Sequence, residues 1–317
     1  MSSSLYIGID VSKHTLDIAG VPDQAVFSIS NDSDGHDQLL QKLKPLPIER
    51  IVMEASGGYE MALAAFLRGA ALPVVVVNAR QVRDYAKACG ILAKTDRIDA
   101  QVLASFASKI TPSLRPAKDQ ETRDLEALVT RRRQLLAMIT SEKNRLDTAP
   151  ESIKPDVKVH IQWLSKRLDK MDQALKEAIE HSDTWHVHDN LLQSIPGIGT
   201  VTAQTMIAQV PELGQLTRKH IAALIGLAPF NKDTGTIKGY RCIQGGRTSV
   251  RNVLYMATLV AVRHNSTLRT FYNHLITMGK PKKVALVATM RKLLTIMNAM
   301  IKYQTTWRPQ LAEPKVF

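Results

Sequence analysis

The sequence has 317 residues, 44% of them hydrophobic and 22% charged, the balance of a water-soluble chain long enough for two domains. No apolar run reaches the roughly 20 residues of a membrane span; Val284 to Ile301 comes nearest and is broken by Arg291 and Lys292, and the opening MSSSLYIGID lacks the basic-then-apolar pattern of a secretion signal. Lys and Arg outnumber Asp and Glu by 42 to 29, a net charge of +13, which points to a polyanionic partner. Cys89 and Cys242 match no metal-ligand spacing and read as free thiols of a reducing cytoplasm.

The charge is unevenly placed. Residues 231–317 hold 15 Lys or Arg against 2 acidic residues, whereas the first 230 hold 27 of each. A basic C-terminal third on a neutral body marks a nucleic-acid surface; a solvated lysine-rich face is the plainer alternative.

In chain order, Leu5 to Val11 is a short apolar run ending in a polar turn, and Leu16 to Val21 and Ala25 to Ile29 follow at hairpin distances. A helix over about 35–43 leads into a strand at Arg50 to Glu54. A second helix precedes Pro73 to Val77, an all-apolar strand of the kind covered on both faces. Helical patterns then cover Arg80 to Cys89 and Arg97 to Ser108. Three antiparallel strands followed by β-α units predict an α/β layered domain over residues 1–110.

Thr111 to Pro116 reads as a linker. Residues 111–184 then carry two long helices, with Leu125, Leu128, Leu135 and Met138 marking one apolar face and Trp163, Leu164, Leu168, Met171 and Leu175 the other. They predict an antiparallel coiled coil turning through Pro150 to Pro155, as a dimerisation arm, a nucleic-acid clamp or a spacer. Residues 185–317 form a second, mostly helical globular unit, with Met256, Met278, Met290, Met297 and Met300 expected in its core.

Four carboxylates stand out. Asp10 ends the first strand in GIDVSK, Glu54 ends the fourth in IVMEASGGYE, and Asp96 and Asp99 sit three apart in KTDRIDA, on one face at the start of a helix. In the layered fold the ends of strands one and four are neighbours, so all four acids meet. That much negative charge calls for a hard divalent cation, and Mg²⁺ prefers carboxylate oxygens, water and phosphate. Two such ions about 4 Å apart can activate a nucleophile and stabilise the leaving oxygen of a phosphodiester. Separately, each acid also fits a turn, a strand end or a helix N-terminus.

GID, MEASGGYE and KTDRIDA together resemble the blocks of the DEDD insertion-sequence transposases (the IS one-ten, Piv-like group), and the likeness runs nearly to the C-terminus. The resemblance implies an RNase H-like, RuvC-like N-terminal domain binding Mg²⁺, with Mn²⁺ as a substitute, through Asp10, Glu54, Asp96 and Asp99. It also implies a structured guide RNA beside the donor and target DNA. Active sites would be assembled between protomers of a dimer or tetramer.

The C-terminal unit carries two further blocks. In LLQSIPGIGTVTAQTM, Gly197 and Gly199 form a tight turn before a helix, resembling a helix-hairpin-helix contact to a phosphate backbone; a plain helical corner is the alternative. In the second, the family places a serine before glycine, then a Gly-Gly-Arg turn and an arginine-bearing helix. This sequence matches at Gly245, Gly246, Arg247 and Arg251 but has Thr234 where the serine stands. The resemblance implies that this hydroxyl attacks DNA phosphorus, with Lys232, Lys238, Arg241, Arg247 and Arg251 around it to meet phosphate charge. A disabled site, or Ser249 acting instead, are the other readings. His181, His186 and His188 have no cysteine or second acidic cluster beside them and do not predict zinc. Tyr240 and Tyr255 lack the companions of a tyrosine recombinase.

The expectation is a recombinase cutting and rejoining double-stranded DNA in the cytoplasm. The alternatives are a RuvC-like resolvase or nuclease using metal-activated water, and a non-catalytic binding protein.

Overall fold

Leu5–Val11 (β1), Thr15–Val21 (β2) and Gln24–Ser30 (β3) pair antiparallel as successive hairpins. The computed structural model describes residues 4–22, 24–114, 119–231, 233–236, 239 and 241–309, and the chain divides into two units, residues 1–118 and 119–317.

In the first unit Ser33–Leu43 (α1) starts at Asp32, whose carboxylate accepts the Gly35 N–H at 2.8 Å. Ile48–Glu54 (β4), Glu60–Gly69 (α2), Val74–Val77 (β5), Ala79–Ala88 (α3) and Asp96–Ile110 (α4) follow. β4 and β5 run parallel to β1, so the mixed sheet has the order β3-β2-β1-β4-β5. The expected strands and helices of this region form with ends shifted by one to a few residues.

Successive strand residues point to opposite faces, and the two faces of this sheet bury different partners. Ile7, Ile9, Ile51 and Met53 pack on Leu39, Leu43, Leu63 and Leu67 of α1 and α2. Val52 and Val75 pack on Val82 of α3 and on Val102, Leu103 and Phe106 of α4. Gly8 faces the α4 side. A Cβ there would stand 2.2 Å from the Ala104 nitrogen and 2.3 Å from the Ala100 oxygen, so the helix backbone lies directly on β1. Ala19, Ala100 and Ala104 are small enough to continue that contact.

In the second unit Gln120–Thr148 (α5) and Lys154–Glu180 (α6) form the expected antiparallel pair. Leu135, Ile139 and Leu164 pack between them at one end, and Arg132 pairs with Asp172. Met138 and Trp163 are exposed instead, because Ile139 and Leu164, one position along, take the inward places. At the other end Leu125, Val129, Leu175 and Ile179 enter the main core of the unit. That core is completed by Asp183–Gln193 (α7), Thr200–Gln209 (α8), Arg218–Ile225 (α9), Thr248–His264 (α10), Ser266–Thr277 (α11) and Lys282–Tyr303 (α12).

Three expectations need correction here. Pro229–Phe230 (β6) and Cys242–Ile243 (β7) form a small antiparallel hairpin in a unit read as mostly helical. Met256 and Met278 are each 62% exposed, because α10 buries the face of Leu254, Ala257, Thr258 and Ala261 and Met278 lies past the end of α11; Met290, Met297 and Met300 are in the core as expected. Finally, α12 is long and apolar enough to cross a membrane, yet Met290, Leu293, Leu294 and Met297 lie in the core of the unit, which marks it as a core helix.

Gly8→Ala should therefore force α4 off β1 at a cost of about 3 kcal/mol or more, lowering the melting temperature of the first unit by on the order of 10 °C. Gly69→Ala, at the end of α2 in the same unit and meeting nothing within 4 Å, is the matched control and should change it little. Differential scanning calorimetry of the two variants decides; equal melting would refute the close-contact account.

Candidate functional site

The parity that puts Gly8 against α4 also puts Asp10, two residues on, at the same face of the sheet. Met53 pairs with Ile9 across the parallel β1–β4 ladder, so Glu54 follows beside Asp10, on the face of Val52. After Glu54 the chain turns through Gly57 (φ 77°) and Gly58 (φ 111°), both left-handed. The buried carboxylate of Glu60 holds this turn, accepting from the Ser56 and Gly58 N–H groups at 3.1 and 2.9 Å and from the Ser56 hydroxyl at 3.2 Å. Asp96 and Asp99 lie in the first turn of α4, which Thr95 caps by accepting the Ile98 N–H at 3.3 Å. Three elements thus deliver the four acids to one end of one sheet face.

The charges act on one another. Burial first, then Asp99, Asp96, Glu54 and Asp17, push the Asp10 carboxyl up from 3.8 to about 6. Burial also raises Glu54 and Asp99; Lys94 pulls both back, and Arg83 pulls Asp99 back. Among the described residues no group of three or more His, Cys, Asp or Glu side chains is arranged to hold a metal ion as it stands. The donor chemistry nonetheless fits one: four hard oxygen ligands whose mutual repulsion a divalent cation relieves, and no hydrogen bond or salt bridge among the described residues that occupies them.

A cleft of about 450 Å³ opens beside Glu54 and Asp99 and is also lined by Arg80, Arg83, Lys87 and Lys94. Arg83 donates through Nη2 to the Leu92 carbonyl at 2.7 Å, while its buried Nη1 has no partner among the described residues. Carboxylates and cations lining one open cleft suit a phosphodiester drawn toward a carboxylate-held ion.

The expected residues of the second unit are arranged differently. Thr234 is exposed in the connection between β6 and β7, followed by Gly235 in the left-handed region (φ 55°). Arg241, just before β7, is also exposed; Lys232, Lys238 and Tyr240 lie outside the described residues. Arg247 and Arg251, expected at phosphate, are committed inside the protein. Arg247 grips Glu212 with two nitrogens, at 2.5 and 2.6 Å, and donates to the Gln209 carbonyl at 2.8 Å. Arg251 donates to the carbonyls of Gly245 and Ile225 and to the Thr248 hydroxyl, bracing the turn in which Gly245 and Gly246 are left-handed. Ser249 donates its hydroxyl to Gln209 Oε1 at 2.7 Å. Tyr255 packs against the core. Gly197 is needed for packing, since a Cβ would lie 2.5 Å from the Ala261 Cα of α10, whereas a Cβ on Gly199, at the start of α8, would meet nothing within 4 Å.

Comparison with known proteins adds two family models. One, for DEDD transposases of the IS110 type, matches residues 7–155; the other, described as the transposase IS116/IS110/IS902 family, matches residues 189–273. Together they span most of the chain. It belongs to the IS110 transposase family. Among similar proteins are the pilin gene-inverting protein of Moraxella lacunata, 28% identical over 98% of this chain and 100% of its own length, and that of Moraxella bovis, with the same identity and coverage. The transposase for insertion sequence element IS1111A of Coxiella burnetii is 25% identical over 95% of this chain and 91% of its own length.

Members of the IS110 family are enzymes that cleave and rejoin DNA, and the family implies DNA substrates and a divalent metal. The four acids fall in the first match, Thr234 and the Gly-Gly-Arg turn in the second. Sequence reading missed Glu60, Arg83 and Lys94. Glu60 and Lys94 lie within the motifs that drew attention to the acids, and Arg80, Arg83 and Lys87 recur at helical spacing, a signal that was legible.

The raised Asp10 has a stability consequence. Its folded pKa exceeds its unfolded one, so the fold binds that proton more tightly, and stability is gained as pH falls through about 6 toward 4. Above pH 6 the ionised carboxylate costs on the order of 1 kcal/mol, after allowing for water around a half-exposed group. Asp10→Asn in chelator should melt a few degrees higher than the parent at pH 8, and the gain should shrink toward pH 4.5. A variant that melts lower at pH 8 would contradict this.

Proposed function

We propose that this chain is an insertion-sequence recombinase that cuts and rejoins double-stranded DNA through a covalent link between the Thr234 hydroxyl oxygen and a DNA phosphorus. The observation that carries the reading is the convergence of Asp10, Glu54, Asp96 and Asp99 from β1, β4 and α4, with Glu54 and Asp99 lining a cleft that also holds cations.

The first unit, with its β3-β2-β1-β4-β5 sheet, three antiparallel strands and helices on both faces, is read as RNase H-like and RuvC-like. Its four carboxylates would hold the ion, Mg²⁺ with Mn²⁺ as a substitute. Bound there, a divalent ion lowers the cost of charge building on the phosphate and on its leaving oxygen. Lys94 and Arg83 offset the negative field around Glu54 and Asp99 and give phosphate oxygens cationic partners at the cleft.

Thr234, exposed and followed by a left-handed glycine, presents its Oγ1 without steric cover. As the Oγ1–phosphorus bond forms, the phosphorus–oxygen bond to the DNA strand end breaks and the hydroxyl proton passes, through water, to that departing oxygen; attack by the hydroxyl of a second DNA end reverses the step, rejoins the strands and returns the proton to Thr234. Arg247 and Arg251 act as structural ties of the Gly-Gly-Arg turn, and Arg241 remains an exposed cation beside the hairpin. A structured guide RNA, a homo-oligomeric assembly, a coiled-coil role for the α5–α6 pair and action in the cytoplasm complete the proposal, on the family resemblance.

A hydrolytic reading, in which activated water cuts and Thr234 is idle, is favoured by one observation: both arginines expected around the hydroxyl are spent on internal bonds. A suicide DNA substrate separates the two. The parent should form a protein–DNA adduct, Thr234→Ala should lose it together with at least about 10²-fold of recombination in a two-plasmid reporter, and Thr234→Ser should retain both. An adduct that survives in Thr234→Ala would eliminate this nucleophile, and cleavage with no adduct in the parent would establish hydrolysis.

A further inference from the structure

Far along the second unit, at the end of α12, a cavity of about 700 Å³ is lined by Arg218, Lys292, Lys302 and Arg308 and by two aromatic rings, Tyr303 and Trp307. It contains neither Thr234 nor any of the four acids, and among the described residues no acidic side chain lines it. Its volume lies in the range of small-ligand sites, roughly 300–1,000 Å³.

The charges are unbalanced in a particular way. None of the four cations has a salt-bridge partner among the described residues. Lys292 is half-buried, with its ammonium 4.4 Å from the centroid of Phe271, and loss of water lowers its pKa. An ammonium withdrawn from water without a carboxylate is unfavourable alone and favours an anion arriving from outside.

The aromatics are set by the backbone. Gln304 is left-handed (φ 51°) and ends α12, and the Trp307 N–H donates to the Ser194 hydroxyl at 2.9 Å, fixing the segment that follows. Trp307 rests against the core and forms a fixed wall, while Tyr303 is 67% exposed.

We propose that this cavity binds an unpaired nucleotide of a single-stranded nucleic acid, with phosphate among the four cations and the base against Tyr303 or Trp307. Phosphate alone would explain the cations but leave the exposed ring without a role. A duplex keeps its bases stacked inside and offers them to no aromatic wall, whereas unpaired bases stack on aromatic side chains and their backbone follows cationic grooves. The inference rests on the chemistry of this cavity and not on the cleavage reading.

The test is fluorescence anisotropy of the full chain with a labelled ten-nucleotide oligo-dT, a ten-nucleotide oligo-U and a twenty-base-pair duplex, with no cleavage readout. Tyr303→Ala, at an exposed position, should weaken single-strand binding about 10-fold and duplex binding less than about 2-fold. Lys292→Gln should do likewise and flatten the salt dependence by roughly one phosphate contact. A loss with either strand chemistry upholds the site, and the larger loss identifies the strand it prefers. Unchanged single-strand affinity in a folded Tyr303→Ala, equal losses on duplex, or displacement by poly-glutamate as effective as by oligonucleotide would overturn it. Thermal melting of both variants establishes that they are folded; should Lys292→Gln melt early, Tyr303→Ala decides.

Discussion

The contact of α4 with β1 at Gly8 is the constraint on which the candidate site depends. Helix and strand backbones meet there without a side chain between them, and Ala100 and Ala104 extend the contact along the helix. Because Asp10 lies one full pleat beyond Gly8 and Asp99 precedes Ala100, the same contact sets how close a strand-borne acid comes to a helix-borne one. A bulkier pair of surfaces would keep the fold class and lose the convergence.

What converges is unfavourable for the fold. Asp10, Glu54 and Asp99 share a partly desolvated end of the sheet with the exposed Asp96 beside them, and Asp10 has its proton affinity raised well into the mildly acidic range. The surrounding structure offsets this only in part, through Lys94 and Arg83, while Glu60 ties the glycine turn so that Glu54 is held by a rigid neighbour. Such strain at one place, supported by ordered structure around it, is how functional sites persist against stability.

Much of the first unit was legible because strand and helix periods leave direct marks: apolar runs, polar turns, and acids at strand ends or three apart on a helix. Partnerships between distant residues leave no such marks. Arg247 reads as a phosphate ligand until Glu212, 35 positions earlier, is found to grip it. Gly197 reads as a turn glycine, and only the fold shows that Ala261 of α10 packs where a side chain would stand. Met256 and Met278 look like core by hydropathy alone, and only the packing of α10 and the end of α11 decide otherwise. The β6–β7 hairpin is two residues on each strand, too short for a period to register.

The position of α12 bears on how the protein is made. Met290, Leu293, Leu294 and Met297 complete a core to which α7, α8 and α9 contribute from much earlier in the chain. During synthesis those helices leave the ribosome with their apolar faces uncovered and must wait for a helix of membrane-like hydropathy to close over them. The second unit is thus the half of the nascent chain that most needs chaperone cover, while the first, closed by α4, can fold as soon as that helix has emerged.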